Sequence, residues 1–144
     1  MIYGLRIDRL MKYRLLEHTA DAMVEVYGQD LEERFENAAF ALFDQITDLS
    51  KVDPKGELKI ILDAETREQL LVDFLQELLF VQDLQDYVFS KFEVTTDGKK
   101  LEAKCMGEKF DPEKHSKRSV VKGITYHKLE FDDKQGKVTL LFDV

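Results

Sequence analysis

The apolar pattern of this chain changes period along its length, and that change limits the folds open to it. In two stretches, residues 30–49 and 66–86, apolar side chains recur at helical spacing, while in most of the remaining chain they alternate. In the first stretch Leu31, Phe35, Ala38, Ala39, Leu42, Phe43 and Ile46 make one stripe opposite Glu32, Glu33 and Glu36. In the second, Leu70, Leu71, Phe74, Leu75, Leu78, Leu79 and Val81 occupy nearly half of the helix circumference. Each opens with a capping box, Asp30-Leu31-Glu32-Glu33 and Thr66-Arg67-Glu68-Gln69, so a helix is expected to start at each. The alternating runs predict strands over 12–17, 23–27, 57–63, 88–96, 99–106, 119–125, 128–131 and 137–144, with Asp97-Gly98 as a two-residue hairpin turn. Two amphipathic helices covering a mostly antiparallel sheet make a two-layer α+β fold.

The chain's 144 residues suffice for one core, and the expectation is a single domain over 11–144. Residues 1–10 show no clear period and read as an extension or first-strand lead-in. Acidic residues outnumber basic ones 29 to 21, for a net charge of −8, so autonomous binding to a phosphate backbone is disfavoured. Cys105 is the one cysteine, and no secretory signal or apolar run of about 20 residues is evident, which makes a reducing, cytoplasmic setting the expected one. Cys105 itself reads as a space-filling strand residue.

The polar step His18-Thr19-Ala20-Asp21 joins the first two predicted strands, and Asp143-Val144 follows the last. If the two ends of the chain meet, the carboxylates of Asp21, Asp143 and the terminus supply hard oxygen donors suited to Ca²⁺, Mg²⁺ or Mn²⁺ rather than zinc. Taken singly, Asp21 is a turn residue and Asp143 a solvated chain end. Lys109, Lys114, His115, Lys117, Arg118 and Lys122 form a basic island that suits a phosphate or an acidic partner, or else a solvated loop beside an edge strand. Thr125-Tyr126-His127 gathers a hydroxyl, a phenol and an imidazole, and a lone histidine there is expected to be hydrogen-bonded in the core. There is no glycine-rich phosphate loop, Gly-x-Ser-x-Gly elbow, Cys-x-x-Cys or His-Glu-x-x-His.

His18-Thr19-Ala20-Asp21, Asn37-Ala38-Ala39, the run Phe74-Leu75-Gln76-Glu77-Leu78-Leu79-Phe80, then Val121-Lys122-Gly123-Ile124-Thr125-Tyr126-His127 and a terminal Asp143-Val144 occur in that order. In this ordered set the chain resembles the archease family, from about Met11 onward. The resemblance implies a small cytosolic activator, not itself an enzyme, of the RtcB-type tRNA-splicing ligase, promoting guanylylation of the ligase and its multiple turnover. RNA would be met only through the ligase. The resemblance also implies a divalent metal ion, with Ca²⁺, Mg²⁺ and Mn²⁺ as candidates, held by Asp21, Asp143 and Val144. Lys122 is implied as a functional residue, and His18 and His127 as further contacts. Gly123 stands where the family commonly has Ala, and Phe74 and Gln76 stand for its Trp and Asn. Two other readings remain: a chaperone-like binding modulator with a structural ion, and a small metal-dependent phosphohydrolase using the same carboxylates and His127.

Overall fold

The computed structural model describes residues 11–18 and 21–144, without the side chains of Glu17 and His18. The segment 1–10, expected to be an extension, and residues 19–20 of the first turn lie outside the described residues. The element order is β1 (Tyr13–His18), β2 (Asp21–Tyr27), α1 (Leu31–Ile46), a 3-10 turn (Leu49–Lys51), β3 (Gly56–Asp63), α2 (Arg67–Gln85), β4 (Tyr87–Thr96), β5 (Lys100–Lys109), β6 (Gly123–Asp132) and β7 (Lys137–Asp143).

Both helices start where their capping residues predict. Asp30 Oδ1 accepts the N–H of Glu33 at 2.8 Å, and Glu33 reaches back to the N–H of Gln29 at 2.8 Å. At α2 the Thr66 hydroxyl accepts the N–H of Gln69 at 3.1 Å. α2 ends at Asp86, which takes the left-handed conformation at φ 54°.

The fold is α+β and every strand pairing is antiparallel, but the strands divide into two sheets. One runs in the order β1-β2-β7-β6 and the other β3-β5-β4. α1 touches β4 of the second sheet and also β1, β2 and β7 of the first, while α2 touches β6 of the first and β3, β4 and β5 of the second. The helix pair therefore bridges two sheets instead of lying on one. Accordingly, Glu33 is the one α1 residue classed as exposed. Phe35, Phe43, Phe74, Phe89 and Phe142 are fully buried in the shared core, with Phe35 stacked on Phe74 at 6.3 Å. Cys105 is buried there as expected, and burial pushes its thiol pKa up to about 12. Asn37 is held inside by its amide donating to the Tyr27 carbonyl at 2.6 Å.

Three local expectations change. The β4–β5 turn spans residues 97–99, because Asp97 Oδ1 accepts the N–H groups of both Lys99 and Lys100 at 2.9 Å and Gly98 turns at φ +97°. Residues 119–122 are not strand: the N–H groups of Arg118 and Ser119 instead reach the last carbonyls of α1, Ile46 and Gln45, at 2.9 and 2.8 Å. The predicted strands 119–125 and 128–131 thus become one strand, β6, interrupted by a bulge.

The connection over 110–122 is strapped to α1, and the buried Thr47 hydroxyl donates to the Ser116 carbonyl at 2.6 Å. Thr47→Val keeps the volume and removes the donor, leaving a carbonyl unpaired; this should cost about 1–2 kcal/mol in urea unfolding with an unchanged m-value. Wild-type stability in that variant would show that Thr47 does not hold the strap.

Candidate functional site

Strand register brings the start of β2 to the end of β7. β7 lies between β2 and β6, Asp21 pairs with Asp143, and Asp143 pairs on its other side with Gly123. Ala22, Val24 and Val26 of β2 and Val138, Leu140 and Phe142 of β7 are buried in the core, so alternation sends Asp21 and Asp143 to the opposite face. Directly opposed residues carry their Cβ atoms roughly 4.5–5.5 Å apart, so the two carboxylates are side-by-side neighbours. Asp143 is exposed and Asp21 half-buried. The Lys122 N–H donates to the Asp143 carbonyl at 2.6 Å, placing an exposed lysine at the head of the next strand. Val144 is half-buried against the core, so the backbone beyond Asp143 stays beside the pair.

Like charges directly opposite each other destabilise a sheet, and a cation between them removes that penalty. The donor set, carboxylate oxygens with backbone carbonyls beside them, suits a hard cation such as Ca²⁺, Mg²⁺ or Mn²⁺. Among the described residues no three His, Cys, Asp or Glu side chains gather to hold a metal. The acidic pair by itself is therefore short of a full ligand set among the described side chains. At Gly123 an added Cβ would meet nothing within 4 Å, so the alanine common in the family fits the same backbone. Gln76 donates to the Ile124 carbonyl at 3.2 Å and ties α2 to β6.

The histidines are placed differently. His18 pairs through its backbone with Ala22, next to Asp21, and its side chain lies outside the described residues. His127 is exposed, contrary to the expectation of a hydrogen-bonded core residue. Between the pairs Thr125↔Leu141 and Glu130↔Thr139, four β6 residues, 126–129, stand opposite the single Leu140, and Lys128 takes φ +61°. That bulge turns Tyr126, His127 and Lys128 outward. By register the bulge stands opposite Leu140, three residues from Asp143 and roughly 10 Å along β7, so β6 does not set the His127 backbone beside the carboxylate pair.

The basic island is mostly neutralised within the molecule. Arg118 reaches the Asp44 carbonyl at 2.9 Å and its carboxylate at 3.1 Å at the end of α1. Lys114 pairs with Glu108 at 2.7 Å and Asp53 at 2.8 Å. The buried His115 accepts the Asp111 N–H at Nδ1 at 2.9 Å, which assigns its proton to Nε2, facing Glu108 at 2.9 Å. Sequence pattern did not distinguish these anchoring residues from Lys122, because all lie in one charged run.

These features define a class: a small α+β protein of two antiparallel sheets bridged by two helices, with an acidic pair and a lysine at one end of the larger sheet. Comparison with known proteins agrees. The model of the archease protein family matches residues 13–144. The chain is 44% identical to the archease of Sulfurisphaera tokodaii over 137 residues, covering 94% of this chain and 99% of that one. It is 47% identical to the archease of Pyrococcus furiosus over 120 residues, covering 81% and 84%. The solution structure of protein 1598 of Methanobacterium thermoautotrophicum superposes with a TM-score of 0.78 at 39% identity, over 92% of this chain and 99% of that one. The chain belongs to the archease family. Among the described residues no helix is long and apolar enough to cross a membrane.

The anchoring network has a titration signature. Hydrogen bonds from Lys114 and from the Asp53 N–H, with His115 beside them, outweigh burial and hold the Glu108 carboxyl down at about 2, against an ordinary 4.5. The folded pKa lies below the unfolded one, so the stabilisation is complete above about pH 4.5 and is lost as pH falls toward 2. Glu108→Gln should melt at lower temperature than wild type at pH 7, and the two melting curves should converge across that acid window. Melting temperatures that stay a constant distance apart from pH 7 to pH 2 would show that Glu108 is not the group responsible.

Proposed function

We propose that this protein is an accessory activator, not itself the catalyst, of an RtcB-type RNA ligase, and that Asp21, Asp143 and Val144 hold a divalent cation at the tip presented to that ligase. The observation that carries the proposal is the Asp21↔Asp143 register, with Lys122 bonded through its backbone to Asp143. Family membership supports the accessory role. Ligase, metal and tip come from the resemblance together with this geometry.

Nucleotidyl transfer builds negative charge on phosphoryl oxygens, and a divalent cation bound by such carboxylates supplies compensating positive charge. The protein's own part is to hold the oxygens on a rigid sheet and to set the Lys122 ammonium beside them. A strand pair positions these groups more firmly than a loop, which suits insertion into a phosphate-rich pocket.

A second reading is a chaperone-like modulator whose ion is structural. A Thermotoga maritima structure is described as an archease and possible chaperone, and shares this fold with a TM-score of 0.60 at 21% identity. The exposed Phe80 and Leu84 favour some role for protein contact. Retained ligase binding and stimulation after chelation would select this reading. A metal-dependent phosphohydrolase using the same carboxylates and His127 has less support, since the register sets the His127 backbone roughly 10 Å along the sheet from Asp143; turnover of nucleoside triphosphates by the isolated protein would favour it.

The decisive measurement is guanylylation and RNA joining by purified ligase with and without this protein. Wild type should accelerate both and permit multiple turnover; Asp143→Ala should keep its melting profile and lose at least about tenfold of the stimulation, in line with the loss of an electrostatic group at a phosphoryl-transfer site. Full stimulation by Asp143→Ala sinks the tip.

A further inference from the structure

Most of the exposed large apolar side chains among the described residues lie on α2 or on the chain entering and starting β6. Phe80 (59% exposed), Leu84 (67%), Val120 (78%) and Tyr126 (55%) belong to α2, to β6 and to the segment leading into β6. Ile61, 71% exposed on β3, lies apart from them. Single exposed apolar residues are ordinary, but a group of them marks a contact surface.

Two contacts show how α2 runs along β6. The Gln76 amide donates to the Ile124 carbonyl at 3.2 Å, and the Asp73 carboxylate lies close enough to act, after burial, on the Tyr126 phenol. Higher numbers on α2 therefore meet lower numbers on β6. An α-helix rises about 1.5 Å per residue and a strand about 3.3 Å, so the step from Gln76 to Phe80 matches two strand residues and brings Phe80 level with Lys122. One further turn sets Leu84 on the same face of the helix as Phe80. Lys122 is bonded through its N–H to Asp143, so this apolar pair borders the carboxylate end of the larger sheet.

The charges on α2 around the pair have one sign, and Lys122 lies beside Phe80 at the border with the sheet. Glu77 and Asp83 are exposed on the same helix, Asp73 is half-buried near Tyr126, and Asp86 caps the end. From Glu68 to Ser90 the chain has no Lys, Arg or His. An acidic rim facing a copy of itself is repelled, which argues against a second copy of this chain as the occupant. A protein that grips RNA phosphates is positively charged, and its basic surface complements such a rim.

We propose that Phe80 and Leu84, rimmed by Glu77 and Asp83, are the docking surface for a basic, RNA-handling protein face with apolar depressions that receive them. This rests on the ligase reading above and adds to it the contact that holds the tip in place. Buried apolar anchors at the centre of an interface carry most of its affinity, while rim charges act mainly on association rate. Docking and charge compensation are thus divided between neighbouring patches, and the two can be separated by substitution.

The test compares wild type, Phe80→Ser/Leu84→Ser, Glu77→Lys/Asp83→Lys and Asp143→Ala for binding to purified ligase and for the dependence of ligase guanylylation on the concentration of this protein. The apolar double variant should bind about tenfold or more weakly, as interface anchors do, and need correspondingly more protein for half-maximal stimulation, with an unchanged rate at saturation. The charge-reversed variant should lose affinity more at low salt than at high salt. Asp143→Ala should bind normally and lose the saturating rate. Wild-type affinity in both surface variants overturns the docking surface and leaves the tip intact; a wild-type protein that neither binds nor stimulates the ligase overturns both. A wild-type dimer in sedimentation that Phe80→Ser/Leu84→Ser converts to monomer would make the occupant a second copy and overturn the assignment.

Discussion

The register of β2 against β7 is the constraint on which the rest of the structure depends. Val24 and Val26 face Leu140 and Val138 across that pairing, and all four are fully buried. A slip of one residue would turn every one of them to the opposite face, so the core locks the register. Once it is locked, Asp21 and Asp143 have no alternative to standing opposite each other. The acidic pair at the sheet's end follows from apolar packing several residues away.

The second consequence of that pairing is that the last strand is central. β7 has β2 on one side and β6 on the other, so it joins β6 to the β1–β2 pair in the larger sheet. The β6–β7 turn is fastened from the helix side: Asp133 accepts from Arg34 and Arg67 at 2.9 Å, and Arg67 also lies over the Phe131 ring at 4.4 Å. The connection over 110–122 is fastened in turn, by His115 and Lys114 at Glu108 and by its own N–H groups at the end of α1. Lys122, where this connection enters β6, is therefore delivered to Asp143 from an anchored segment. A rigid frame under both partners is what the proposed tip needs.

Charge and exposure divide the molecule functionally. The outer face of the larger sheet satisfies its buried carboxylate locally: burial raises the pKa of Glu25, but hydrogen bonds from Tyr27 and Lys137, with Arg14 beside them, bring it below the ordinary value. The carboxylate end has Asp143 and Lys122 in solvent instead, and the neighbouring helix face is acidic with two exposed apolar residues. The protein is better suited to meet another protein than to bind nucleic acid alone.

Local signals in the sequence determined the helices, their capping residues, most strands and the α+β class, because capping and periodicity are written in residues a few positions apart. Ordered motifs likewise carried the family resemblance and the residues named for the site. Tertiary structure alone decided that the strands separate into two sheets, that Arg118 and Ser119 cap α1 while residues 119–122 form no strand, and that His127 turns outward on a bulge while Asp21 meets Asp143. Each of these depends on which distant backbone groups compete for the same hydrogen bonds and which apolar faces share one core. Those are contests between segments up to 122 residues apart, from Asp21 to Asp143, and no pattern within a single segment records their outcome.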